Sequence, residues 1–130
     1  MKLSDQQLQV GDSVENIFTG EKMTIVKITH KPTFYQCVWF SPENDLQRDL
    51  FLSRHIRIIP FLKHTNKEIR LKNKVYFNHQ DFSAGSTSTG PIMEVIDLIE
   101  ATGEKLAVCK WENASKEIDA DIFPVLALKT

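Results

Sequence analysis

Two cysteines are all the chain has, Cys37 and Cys109. A zinc site takes about four ligands, usually in close pairs, so two distant cysteines do not make one. The histidines, His30, His55, His64 and His79, do not stand at ligand spacing either. Phosphate-binding loops and nucleophile motifs are missing. No apolar run approaches the roughly 18 residues that would span a bilayer. The opening Met1-Lys2-Leu3-Ser4-Asp5-Gln6-Gln7 lacks the apolar stretch of a signal peptide, which points to a cytoplasmic protein. Net charge is only −1, so there is no general pull towards nucleic acid or acidic membrane. These absences argue against an enzyme, and no cofactor or metal is expected.

What the sequence does hold is one pattern written twice. The first copy reads Gly20-Glu21-Lys22-Met23-Thr24-Ile25-Val26, then Cys37-Val38-Trp39-Phe40, then Asp49-Leu50-Phe51. The second reads Gly90-Pro91-Ile92-Met93-Glu94-Val95-Ile96, then Cys109-Lys110-Trp111-Glu112, then Asp121-Ile122-Phe123. In both, Cys to Trp is two positions, Trp to Asp is ten and Trp to Phe is twelve. Each opening has the form of a capping box, Ser4 with Gln7 and Thr65 with Glu68, which predicts a short helical turn or bend. The repeat divides the chain into domains at 1–62 and 63–130. Units of about 60 residues bury only about 60% of their unfolded surface, so contact between them should add stability.

Within each copy the apolar residues fall into five short runs separated by polar turns, the pattern of a small antiparallel barrel. Strands are predicted at 13–18, 23–28, 34–40, 46–51 and 56–59, and again at 74–78, 93–99, 106–112, 118–123 and 126–129. The second strand of each copy does not alternate cleanly, which calls for a bulge. Pro124 breaks the ladder and predicts a 3₁₀ turn. The copies differ most at 79–89, whose Gly, Ser and Thr content predicts a long mobile loop. Asp49 and Asp121 recur and are expected to cap turns.

Gly11-Asp12, Gly20 with Met23, Cys37-x-Trp39-Phe40 and Leu46 with Phe51 resemble the YodC-like family of small bacterial proteins. In the second copy the resemblance rests on Gly90-Pro91 with Met93, Cys109 with Trp111, and Phe123-Pro124. It departs at Lys72-Asn73 and at Glu112. The resemblance implies an SH3-like barrel, hence an all-β chain of two tandem five-stranded SH3-like small barrels. It carries no established activity.

Function is therefore expected to be binding, most plainly to a protein partner, with a homodimer as one form. The third strands locate a surface. Cys37 and Trp39 recur as Cys109 and Trp111 and should face a core, with the cysteines as small buried hydrophobes. The opposite face is Lys110 and Glu112 in the second copy but Phe34, Val38 and Phe40 in the first. That apolar stripe is expected in an interface, between the copies first and with a partner second. Phe82, in the predicted loop, is a further candidate contact. The alternative is nucleic-acid binding through Lys63, Lys67, Arg70, Lys72 and Lys74, a basic joint whose phosphate contacts would make binding salt-dependent.

Overall fold

A computed structural model of the chain describes residues 7–59, 68–80 and 90–130. Among these the first sheet is built from β1 (Ser13–Asn16), β2 (Lys22–Thr29), β3 (Phe34–Phe40), β4 (Leu46–Phe51) and β5 (Ile56–Ile58). The second is built from β6 (Lys74–Phe77), β7 (Met93–Ala101), β8 (Glu104–Glu112), β9 (Ile118–Pro124) and β10 (Leu128–Lys129). The spatial orders are β4-β3-β2-β1-β5 and β10-β6-β7-β8-β9, the same arrangement read from opposite ends. All pairings are antiparallel.

The correspondence extends to individual bonds. Val14 pairs with Met23 and Val75 with Met93; Cys37 lies between Ile25 and Asp49, and Cys109 between Val95 and Asp121. Ile25 N–H donates to Asp12 O and Val95 N–H to Asn73 O. Asp12 and Asn73 each accept, on a side-chain oxygen, the N–H three residues before. The predicted bulge lies between Ile25 and Lys27, and its counterpart between Val95 and Asp97. One extra residue there reverses the alternation, so Ile25 and Ile28 both reach the first core. The 3₁₀ turn after Pro124 is Val125–Ala127, and Ser53–His55 is its counterpart in the first half.

Three expectations need correction. The sheets are not closed barrels. Among the described residues β4 and β5 remain the two edges of the first sheet and β9 and β10 those of the second. The last strands are too short to close a ladder, at three and two residues. No helical turn forms at Gln7–Gln9 or Glu68–Arg70; Leu8 and Ile69 are buried there as plugs of the two cores. The rest of both capping boxes lies outside the described residues. Asp49 and Asp121 stand inside β4 and β9, each accepting the next residue's N–H, rather than at turns.

The cores are arranged unequally. Leu8, Val14, Met23, Ile25, Cys37 and Ile56 form a first cluster on one face of the first sheet. Val26, Val38 and Phe40, from the other face, belong to the second cluster with Val75, Phe77, Met93, Val95, Cys109, Trp111 and Phe123. Successive residues of β3 thus serve different cores, as strict alternation requires. The first sheet is covered on both faces, and its second covering is the other half of the chain.

Candidate interaction surface

The contact between the halves is centred on Phe40, which is 4% exposed. Its ring stacks on Phe77, with centroids 5.4 Å apart, and meets Trp111 edge-on at 5.3 Å. Gly90 makes room for it: a Cβ there would lie 2.9 Å from Phe40 Cδ2 and 2.6 Å from Gln80 Nε2. The loop after Phe40 completes the contact through backbone. Trp111 Nε1–H donates to Asn44 O at 3.1 Å, and Ala114 N–H donates to Glu43 O at 2.9 Å. Arg48 reaches across to Asp121 at 2.7 Å, a partly exposed pair that adds orientation more than stability.

Polar groups hold the other side of this contact. Thr24 and His79 bond twice: the His79 backbone N–H donates to Thr24 Oγ1 at 3.0 Å, and the Thr24 hydroxyl and His79 Nδ1 are hydrogen-bonded at 2.7 Å. Burial, with help from Lys129 and Lys22, pulls the His79 pKa down to about 3, so the ring is neutral. Asn78 Nδ2 donates to Gly11 O at 2.8 Å and Leu126 O at 2.7 Å. Gly11 has a positive φ, and a Cβ there would fall on the Leu126 carbonyl. Asn78, His79 and Gln80 are all buried. Sequence reasoning assigned His79 and Gln80 to a mobile loop and missed this cluster; no periodicity marks a polar tripeptide at a sheet edge. Phe82 and the rest of that predicted loop lie outside the described residues.

Val38 and Phe40 are therefore spent inside the molecule, and Phe34, at the far end of the stripe, is half-buried. The basic joint is largely engaged where it is described. Arg70 pairs with Glu68 at 3.1 Å and Lys74 with Glu94 at 2.7 Å, while Lys72 sits on a turn with positive φ. Lys63 and Lys67 lie outside the described residues.

Among the described residues two of the accessible apolar regions bear on docking. One is the outer face of the second sheet, where Ile99 pairs with Leu106 and Ile122 with Val108. The other is on the first sheet, at the position corresponding to the socket that Phe40 fills in the second. Trp39 and Phe51 stand there 6.3 Å apart, the spacing of Trp111 and Phe123. Trp39 and Phe51 are only half-buried; on the turn after β1, Ile17 is 47% and Phe18 73% exposed, with the Phe18 ring 5.2 Å from that of His55. Among the described residues no group accepts the Trp39 indole N–H.

No family model, curated protein or solved structure matches the chain. The chemistry of the surface is thus the guide to its use. Among the described residues no cluster of His, Cys, Asp and Glu is placed to hold a metal. Cys37 and Cys109 are buried and free. Burial raises both thiols to about 12, with the Asp49 charge adding to Cys37. They are therefore poor nucleophiles. A groove of about 390 Å³ lies beside β1 and β5, lined by Glu15, Lys22, Arg57, Ile58 and Ile59. Its Glu15 and Arg57 side chains pair with each other. No helix among the described residues is long and apolar enough to cross a membrane.

Proposed function

We propose that the chain is a non-enzymatic protein-interaction module, made of two SH3-like units at about 1–62 and 63–130 that derive from a YodC-like repeat. Its binding surface is the partly exposed margin of the first core at Trp39 and Phe51, together with Ile17 and Phe18 on the turn after β1. The observation that carries this reading is the exposed Phe18 ring and the half-buried Trp39, whose indole N–H has no acceptor among the described residues. Aromatics with one polar handle are characteristic anchors of protein interfaces. The basic joint supports nucleic-acid binding less well, since Arg70 and Lys74 already face carboxylates.

Affinity capture from the lysate of its own cells, with and without nuclease, tests the proposal. Phe18→Asp is the control variant, because a side chain this exposed should be replaceable without unfolding the sheet. A captured protein that survives nuclease and is lost with Phe18→Asp is the expected result. Capture that disappears with nuclease, or that ignores Phe18→Asp, overturns it.

A further inference from the structure

The two halves meet through different surfaces, so their contact is heterologous, or head-to-tail. The first half gives its outer face, led by Val38 and Phe40; the second half receives it in the socket beside Trp111. A head-to-tail pair leaves one socket unused at its head and one outer face unused at its tail. Here these are the first sheet's socket and the second sheet's outer face.

Position by position, the unused socket resembles the filled one with its occupant removed. Gly20 corresponds to Gly90, and where a Cβ on Gly90 would strike Phe40, one on Gly20 would meet nothing within 4 Å among the described residues. Trp39 corresponds to Trp111, whose indole N–H donates to the occupant's Asn44 carbonyl, whereas that of Trp39 is unengaged among the described residues. Ile17 and Phe18 correspond to Asn78 and His79, which are buried against the first half, whereas Ile17 and Phe18 face solvent. Gly20 and Trp39 thus mark an absent occupant where Gly90 and Trp111 meet the Phe40 hairpin, and Ile17 and Phe18 lack the contacts that Asn78 and His79 make with Gly11 and Thr24.

We propose that this socket binds a partner protein presenting an aromatic-tipped β-hairpin, of the kind residues 38–46 present to the second half. The proposal rests on the reading of this face as the binding surface, and it continues an interface already formed within the chain. The occupant needs a large apolar side chain at the position of Phe40 and a following loop carbonyl for the Trp39 N–H. Pro42 stands where the second half has Ala114. The second backbone bond of the filled socket, donated by Ala114 N–H, is therefore absent from the first. Ile17 and Phe18 replace a polar pair, so the occupant is apolar where this chain has Thr24 and Gly11. A second copy does not qualify through its own outer face, which carries Lys110 and Glu112 in place of Val38 and Phe40; a buried unpaired charge opposes docking.

The test restores the missing hairpin in the full chain. The double variant Lys110→Val, Glu112→Phe should associate head-to-tail, seen as a concentration-dependent rise in mass by light scattering, while the parent chain does not. Adding Phe18→Asp should return the variant to the parent's mass. A variant that stays monomeric wherever it is soluble, or whose association ignores Phe18→Asp, overturns the proposal. If the double variant fails to fold, a cyclised peptide of residues 36–48 is titrated into the isotope-labelled parent chain. The Trp39 indole resonance should then shift, the Trp111 resonance should hold, and a Phe40→Ala peptide should have no effect. A static Trp39 resonance, or equal shifts with both peptides, counts against it. If lysate capture depends on Phe18 but neither hairpin probe binds, the surface stands and only the hairpin occupant falls.

Discussion

Replacing Phe40 probes the contact between the halves most directly. Its side chain is almost wholly removed from water and touches two aromatic rings of the other half. Truncating a buried Phe to Ala costs about 3–5 kcal/mol, the sum of lost transfer energy and the cavity left behind. Each aromatic pair adds about 0.5–1.5 kcal/mol beyond area, which places Phe40→Ala towards the upper end. Against a total stability of about 5–15 kcal/mol this is a large share. At about 2–8 °C per kcal/mol for domains of this size range, the melting temperature should fall on the order of 10–20 °C. Phe40→Lys should be worse, because it puts a charge without a partner among Phe77 and Trp111. Calorimetry and urea unfolding measure both variants, with Phe18→Ala as an exposed aromatic control expected within about 0.5 kcal/mol of the parent. Should Phe40→Ala melt within about 1 kcal/mol of the parent, the shared core between the sheets is wrong.

Stability should depend on His79 in acid. Below the ordinary pKa of 6.5 the unfolded ring takes a proton that the folded ring refuses until about 3. Stability is thus greatest above 6.5 and falls at up to about 1.4 kcal/mol per pH unit towards 3. In His79→Phe that part of the slope disappears, and urea unfolding at a series of pH values in parent and variant gives the comparison; identical slopes would refute a neutral buried ring. Both thiols should react slowly with a thiol reagent in the native protein and fast in denaturant, because burial holds them up to about 12. Fast native reaction at Cys109 would place it outside the core.

The elements that were legible in the sequence are those fixed by local pattern. β3 and β4 begin and end at the residues that alternation and the flanking turn residues indicate. The bulges are written in the broken alternation after Ile25 and Val95. Barrel closure was not legible, because whether edge strands meet depends on how far the sheet curls, which no residue pattern encodes. Trp39 faces the first core as expected but is only half-buried, for a related reason. Equal positions in a repeat imply equal geometry, yet Trp111 owes its 5% exposure to Phe40 lying on it. The Asn78-His79-Gln80 cluster was hidden because its partners, Gly11, Thr24 and Leu126, are distant in sequence.

The divergence between the copies then follows a physical logic. Had Val38 and Phe40 been repeated at 110 and 112, each tail would fit the open head of another chain, and a head-to-tail contact that does not close gives filaments. On the proposed reading Lys110 and Glu112 oppose this, since docking them in the aromatic socket would strip both charges of water at a cost of several kcal/mol per ion. The flanking Ile96 and Ile118, which correspond to Val26 and Leu46, remain apolar and exposed. At the head, Ile17, Phe18 and Trp39 are themselves uncharged, with the His55 ring beside Phe18. That asymmetry, closed to its own tail yet open to a hairpin of the right shape, is what a binding module needs if it is to take a partner without polymerising.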